Sequence, residues 1–284
     1  FAVTRLSGCN SGAPVVVVAE HWDGRLSPLT SELAVCARRV AEFLGSEIRV
    51  VVLGEPAADI AQQAAQVIGE KIVAVQVPGL IGFHGEAYAK ILASLLGSGG
   101  AAAVVGAHTT SGMDWAPALA VDLNAAFLPG VESLEQEADS LLFSRAGVFG
   151  KVRELIKPMA KPWVLTVAPG AFPAPAQDAD RPGQVEVLQV APPDCRSTVA
   201  VSEKAASQDA GLAQAQVVVA AGRGIAGPEN LAMIRELAGL FSGSAVAGSR
   251  PVCDQGWLDY GSQVGLTGAT VSPKLYIACG ISGA

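Results

Sequence analysis

Ile48-Arg-Val-Val-Val-Leu53, then Ala58-Asp-Ile-Ala-Gln-Gln-Ala-Ala-Gln-Val-Ile68, then Ile72-Val-Ala-Val-Gln-Val77 is the stretch that decides the fold. Two short, Val-rich runs flank a segment of helical length. Strands of this kind are buried on both faces, as they are in a parallel sheet covered by crossover helices. The same alternation extends outward on both sides. Val15–Glu20 reads as a strand and Leu29–Leu44 as a helix, with Leu33, Cys36, Ala37, Val40, Ala41 and Leu44 on one face. Ser31 can cap that helix and Gly45 ends it. Gly85–Leu96 reads as a further helix and Ala102–Gly106 as a further strand, so strand and helix alternate four times.

After that the rhythm changes. Met113–Leu123 is helical, but Ser140–Val148, Val152–Ile156 and Trp163–Val167 are strand-like and suggest an antiparallel extension of the same sheet. Ala171–Arg181 and Ala191–Asp194 have loop composition. A polar, alanine-rich linker is expected from Ser202 to Gln214. A second βα series follows: strand Val217–Ala220, helix Glu229–Phe241, and strands Ser244–Gly248 and Leu275–Gly280. The expectation is an α/β protein in two domains. Residues 1–205 form a mixed-sheet domain, and residues 206–284 form a doubly wound parallel domain that stops short of completion.

Composition narrows the function classes. The 284 residues are 50% hydrophobic and only 16% charged, which suits a well-packed globular protein. A net charge of −7 with no Arg/Lys run leaves nothing to neutralise phosphates, so nucleic acid is not an expected partner. No apolar run reaches the ~20 residues of a membrane span. Cys9, Cys36, Cys195, Cys253 and Cys279 are odd in number and contain no CxxC pair, and His21, His84 and His108 share no ligand spacing with them. Reduced thiols in a reducing compartment are expected, without a zinc site or a disulfide scaffold. The chain begins at Phe1 rather than Met, which reads as an end left by removal of an organellar transit peptide or as a trimmed chain.

Chemistry is concentrated at strand ends of the second domain. Ala220-Ala-Gly-Arg-Gly-Ile-Ala-Gly-Pro-Glu-Asn230 takes a buried strand through glycines into a helix. Such a turn either presents helix amides to a phosphate or serves backbone geometry alone. Gly248-Ser-Arg-Pro251 follows the next strand and places Arg250 either beside a ligand or in an exposed ion pair. Gln263-Val-Gly-Leu-Thr-Gly268 is a glycine-spaced loop with a hydroxyl at Thr267, and Cys279-Gly-Ile-Ser-Gly-Ala284 again runs from strand into small residues. Several such loops in one short domain point to a shared crevice for a large phosphate-bearing ligand. Elsewhere, Glu20-His21-Trp22 has no nucleophile placed to make a dyad, and His108-Thr-Thr-Ser111 fits either a ligand loop or a helix cap.

These pieces, in this order, resemble the electron-transfer flavoprotein α-subunits. The family's GGRG turn, GEN, SR pair, QVGQTG loop, P-x-LYIA-x-G strand and SGAIQH turn stand here as Ala221-Gly-Arg-Gly224, Pro228-Glu-Asn230, Ser249-Arg250, Gln263-Val-Gly-Leu-Thr-Gly268, Pro273-Lys-Leu-Tyr-Ile-Ala-Cys-Gly280 and Ser282-Gly-Ala284. Val17-Val-Ala-Glu-His21 resembles the family's opening strand. The resemblance implies FAD held by the second domain, contacted by Arg223, Ser249, Thr267 and the loop Val264, Gly265 and Leu266, with Ser282, Gly283 and Ala284 at the last turn. It also implies that Arg250 lies over the isoalloxazine, where its fixed charge favours the reduced, anionic forms of the ring. Further implications are a β-subunit partner, acyl-CoA dehydrogenases and a quinone reductase as redox partners, and a mitochondrial matrix or bacterial cytoplasmic setting. The other reading is a flavin-free subunit of a larger respiratory or matrix assembly. Leu266 replaces the loop's second glutamine, and Ala168 stands where an arginine is common. The last turn stops before its histidine, so a further carboxy-terminal segment is expected.

Overall fold

The computed structural model describes residues 12–97, 99–148, 150–174, 183–199, 211–265, 268–269 and 271–282. The chain divides into two compact units, Phe1–Val201 and Ser202–Ala284. Of the expected linker, residues 202–210 lie outside the described residues, and its end, Leu212–Gln214, forms a 3-10 turn.

In the first unit β1 (Val15–Val18) leads through a small hairpin, β2 (His21–Trp22) and β3 (Arg25–Leu26), into helix α1 (Leu29–Leu44). Next come β4 (Ile48–Gly54), α2 (Ala58–Ile68), β5 (Lys71–Gln76), α3 (Gly85–Leu96), β6 (Ala103–Ala107) and α4 (Thr110–Asp122). Then β7 (Ala126–Glu137), β8 (Ser140–Gly147), β9 (Val152–Ile156), β10 (Trp163–Val167) and β11 (Gln184–Gln189) complete one nine-stranded sheet, in the order β11-β5-β4-β1-β6-β10-β7-β8-β9. The valines of β1 show why the strands read as unbroken apolar runs. Val15 and Val17 pack in the core that includes Leu33, Cys36 and Ile60 from α1 and α2. Val16 and Val18 pack in the opposite core, with Leu92 of α3 and Trp115 and Leu119 of α4. Both faces of the strand are buried, so alternation has no use there.

Several boundaries agree with the sequence reading, among them α1, α2 and α3. Gly45 ends α1 in the left-handed region at φ 63°. The expected cap does not form as read, because α1 starts two residues earlier than Ser31, at Leu29 after Pro28. The antiparallel extension holds for β8 and β9, which run antiparallel to β7 and to β8 respectively, but not for Trp163–Val167. That strand, β10, is wedged between β6 and β7 and runs parallel to both. Its residues are all buried, as a central parallel strand requires. Strand β7 escaped the sequence reading because Pro129 and Gly130 punctuate it as a loop would be punctuated. The structure absorbs them in a register shift opposite Thr166, whose Oγ1 accepts a hydrogen bond from Gly130 N at 3.2 Å. Strand β11 also went unread; it is a half-exposed edge whose partner is β5.

The second unit contains β12 (Val217–Ala221), α5 (Leu231–Gly239), β13 (Ser244–Gly248), a short α6 (Arg250–Asp254) and β14 (Leu275–Cys279). Its three strands are all parallel, in the order β13-β12-β14. The helix expected over Glu229–Phe241 is shorter, because Pro228–Asn230 form a separate 3-10 turn before Leu231.

Candidate functional site

Strand β12 is central, and the chain leaves it first for β13 on one side and later for β14 on the other. The carboxyl ends of β12 and β14 therefore flank the point where strand order reverses, the usual ligand position in an open α/β sheet. Here the two loops touch backbone to backbone. Gly222 N donates to Cys279 O at 2.7 Å, and Gly224 N donates to Gly280 O at 3.0 Å. A Cβ added at Gly222 would sit 2.2 Å from Gly280 O, and Gly280 itself is left-handed at φ 70°. Gly222 and Gly280 are thus required by the loop crossing. Glu229 folds back over Gly227, where an added Cβ would meet its carboxylate at 2.3 Å. The entrance to α5 already has a negative charge of its own, which argues against a phosphate there.

The groups that remain free to face a ligand are the side chains. Arg223 sits in a 3-10 turn just after β12, is exposed, and makes no ion pair among the described residues. Ser249 follows β13; its N–H donates to Ala221 O at 2.9 Å, and its hydroxyl has no hydrogen bond among the described residues. Arg250 opens α6 and makes the exposed ion pair that was its alternative reading, Nε to Asp254 Oδ2 at 3.5 Å. Tyr260 Oη donates to the other oxygen of that carboxylate at 3.0 Å. An exposed pair one helical turn apart is worth only a few tenths of a kcal/mol, so a ligand can redirect the guanidinium at little cost.

The loop after α6 is tied to the same strand ends. Val264 N donates to Gly248 O at 2.9 Å, and Ala269 N closes the loop on Gln263 O at 2.7 Å. Gly265 has φ 118° and Ser282 is exposed. Leu266, Thr267, Gly283 and Ala284 lie outside the described residues. The structure thus brings Arg223, Ser249, Arg250 and Val264 to loops at the carboxyl side of one three-stranded sheet. Two guanidiniums, an uncommitted hydroxyl and loop amides are a donor set that fits a phosphate-bearing, electron-poor ring system such as a flavin dinucleotide.

In the first unit, the helix-cap reading of His108-Thr-Thr-Ser111 is the one realised. Thr109 caps α4, its hydroxyl accepting from Gly112 N at 3.0 Å, while His108 Nδ1 lies 2.8 Å from Thr166 Oγ1. The fold also brings Cys195 to His84 and Glu86, more than a hundred residues earlier, with ligand atoms within 4.8 Å of one another. Glu86 is occupied otherwise. Its oxygens accept from Lys90 Nζ at 2.8 Å, Ser197 Oγ at 2.6 Å, Arg196 N at 3.0 Å and Ser197 N at 3.0 Å. These bonds hold the carboxylate well below its usual pKa range and fasten the segment after β11 to α3.

Comparison with known proteins agrees with this architecture. The family model described as "Electron transfer flavoprotein domain" matches residues 15–193, and that described as "Electron transfer flavoprotein FAD-binding domain" matches residues 211–284. The electron transfer flavoprotein subunit alpha of Bacillus subtilis is 30% identical over 273 residues, covering 96% of this chain and 83% of the relative. That of Clostridium acetobutylicum is 32% identical over 277 residues, covering 95% and 82%. A subunit of another name, LctC of the NAD(+),ferredoxin lactate dehydrogenase of Acetobacterium woodii, is 29% identical over 273 residues, 95% of this chain and 65% of the relative. With both units matched in order along nearly the whole chain, this protein belongs to the electron transfer flavoprotein α-subunit family.

Proposed function

We propose that the chain holds FAD on the strand-end loops of its second unit, pairs with a homologous β-subunit, and relays electrons from dehydrogenases, acyl-CoA dehydrogenases among them, towards a quinone reductase. The observation that carries this reading is the placement of Arg223, Ser249 and Arg250 on successive loops of one parallel sheet. FAD would supply one- and two-electron redox chemistry. This chain's own residues would bind and tune it. Arg223 offers a permanent charge to the phosphates, Ser249 a hydroxyl, and Arg250 a planar cation to the ring. A cation there favours every state in which the ring gains negative charge. The β-subunit is proposed from the family and from a composition apolar enough to supply a large obligate interface.

A second reading has its own support, the likeness to the lactate dehydrogenase subunit. In it the chain is a fixed subunit of one dedicated dehydrogenase assembly rather than a carrier shared among several. The relatives named above are bacterial, which favours a bacterial interior and lends no support to the organellar setting. No helix among the described residues is long and apolar enough to cross a membrane.

The test is co-expression with the β-subunit, followed by the visible spectrum of the purified complex and electron transfer from several dehydrogenases. A yellow heterodimer reduced by more than one dehydrogenase supports the carrier. A yellow complex locked to one dehydrogenase supports the second reading, and a colourless preparation overturns both.

A further inference from the structure

The first unit has a strand-order reversal of its own, and it is built differently. Strand β1 lies between β4 and β6, so the carboxyl ends of β1 and β6 flank the reversal. A cavity of ≈ 240 Å³ opens there, walled by Glu20, His21, Trp22, Phe83, Tyr88 and Trp115. We propose that this cavity is a binding site for a small organic ammonium ion, held by the Glu20 carboxylate between aromatic rings.

Charge decides the class of ligand. No lysine or arginine lines the cavity among the described residues, so an anion would find no counter-charge and would face Glu20. Glu20 lies two residues past the end of β1, and its carboxylate accepts a hydrogen bond from the hydroxyl of Thr109, the cap of α4. It has no ion pair among the described residues, which leaves most of its acceptor capacity unused. Burial pushes its pKa up, the expected behaviour of a carboxylate lacking a cation. A neutral ligand would deepen that burial without compensation, whereas an ammonium supplies the missing charge. Aromatic faces attract the same ion through their quadrupoles.

The walls are fixed before any ligand arrives. His21 Nε2 lies 2.6 Å from Leu53 O, so this nitrogen carries a proton that the carbonyl accepts, which fixes the ring. Tyr88 Oη donates to the same carbonyl at 3.1 Å. Two glycines inside buried strands make room for these rings. An added Cβ at Gly54 would lie 3.2 Å from the His21 ring, and one at Gly106 would lie 2.5 Å from Trp115. Trp22 is 55% exposed and marks the mouth, while Trp115 is 1% exposed and forms the floor. At ~30 Å³ per water the cavity holds roughly eight waters. That is just below the usual range for drug-sized pockets, so the occupant has on the order of ten non-hydrogen atoms and is too small to be a nucleotide.

The site lies within the first unit and can be tested on the full chain with three probes of one shape: benzylammonium, benzyl alcohol and benzoate. Tryptophan fluorescence and calorimetry should show saturable binding of benzylammonium, with benzyl alcohol at least about tenfold weaker and benzoate weaker still. That ratio corresponds to the ~1.4 kcal/mol or more expected of a hydrogen bond to a charged group. Glu20→Gln should lose benzylammonium affinity about tenfold. Benzyl alcohol or benzoate binding as tightly as benzylammonium, or no binding of any probe, would overturn the proposal. The charge series needs no variant, so it decides the matter even if Glu20→Gln fails to fold.

Discussion

Gly222→Ala isolates the loop crossing at the strand-order reversal of the second unit. Gly222 has φ −104°, which alanine adopts freely, so backbone strain contributes nothing. The cost is steric. The new Cβ would lie 2.2 Å from Gly280 O, 2.5 Å from Gly280 C and 2.6 Å from Ile281 N, all of them backbone atoms that cannot rotate away. Reaching ordinary contact requires the two loops to separate by about 1 Å. That separation stretches the Gly222 N–Cys279 O and Gly224 N–Gly280 O hydrogen bonds together. Overpacking costs ~1–3 kcal/mol and each of the two weakened hydrogen bonds up to ~1 kcal/mol, so about 1–5 kcal/mol is expected. Against the ~5–15 kcal/mol that holds a typical domain, this leaves the unit partly open. Gly239→Ala is the internal control: Gly239 ends α5 with nothing within 4 Å of an added Cβ, and alanine there should be neutral or stabilising by up to ~1 kcal/mol. Hydrogen exchange read by mass spectrometry on peptides from β12 and β14 reports the local opening free energy in the full chain. Protection of Gly222→Ala within ~0.5 kcal/mol of the parent would refute the reasoning.

Arg250→Ala should lower the reduction midpoints of the bound flavin by about 20–45 mV, the two-electron equivalent of losing one partly screened charge; Arg250→Lys should shift them less, and unmoved midpoints in both would remove Arg250 from the ring. Glu86 is held below its ordinary pKa of 4.5, first by the Lys90 ammonium and then by Ser197 and the Arg196 amide. A depressed folded-state pKa gives stability that is present above 4.5 and lost as pH falls below it. Glu86→Gln should therefore flatten the acid limb of a stability–pH curve, and an unchanged limb would count against the clamp. Burial pushes the Cys36 thiol up to about 12, so iodoacetamide at neutral pH should spare Cys36 in the folded chain while labelling the half-buried Cys195 and Cys279; peptide mapping that finds Cys36 modified as fast as these would contradict this. Thr166→Val strands the Gly130 amide and His108 Nδ1 at a fully buried position and should cost ~1–3 kcal/mol in urea unfolding.

Local chemistry determined a great deal here. Val-rich strands, glycine stops and apolar helix faces act through neighbours within a few residues, so β4, α2, α3, β13 and the βα alternation could be read directly from sequence. The ordered set of strand-end motifs placed the chain in its family for the same reason, since each motif is contiguous. What sequence could not decide were relations between distant segments. That β10 runs parallel in the middle of the sheet depends on a chain excursion through β7, β8 and β9, and nothing within Trp163–Val167 encodes its neighbours. That Pro129-Gly130 belongs to a strand depends on Thr166 accepting the Gly130 amide across it. The Gly222 turn left open a phosphate cradle beside the backbone-geometry reading until the Gly280 loop was found against it. Glu20-His21-Trp22 looked inert without a nucleophile. It became a candidate site only when the crossover order set it beside Tyr88 and Trp115, because a cavity is a property of surfaces that meet in space and no single segment contains one.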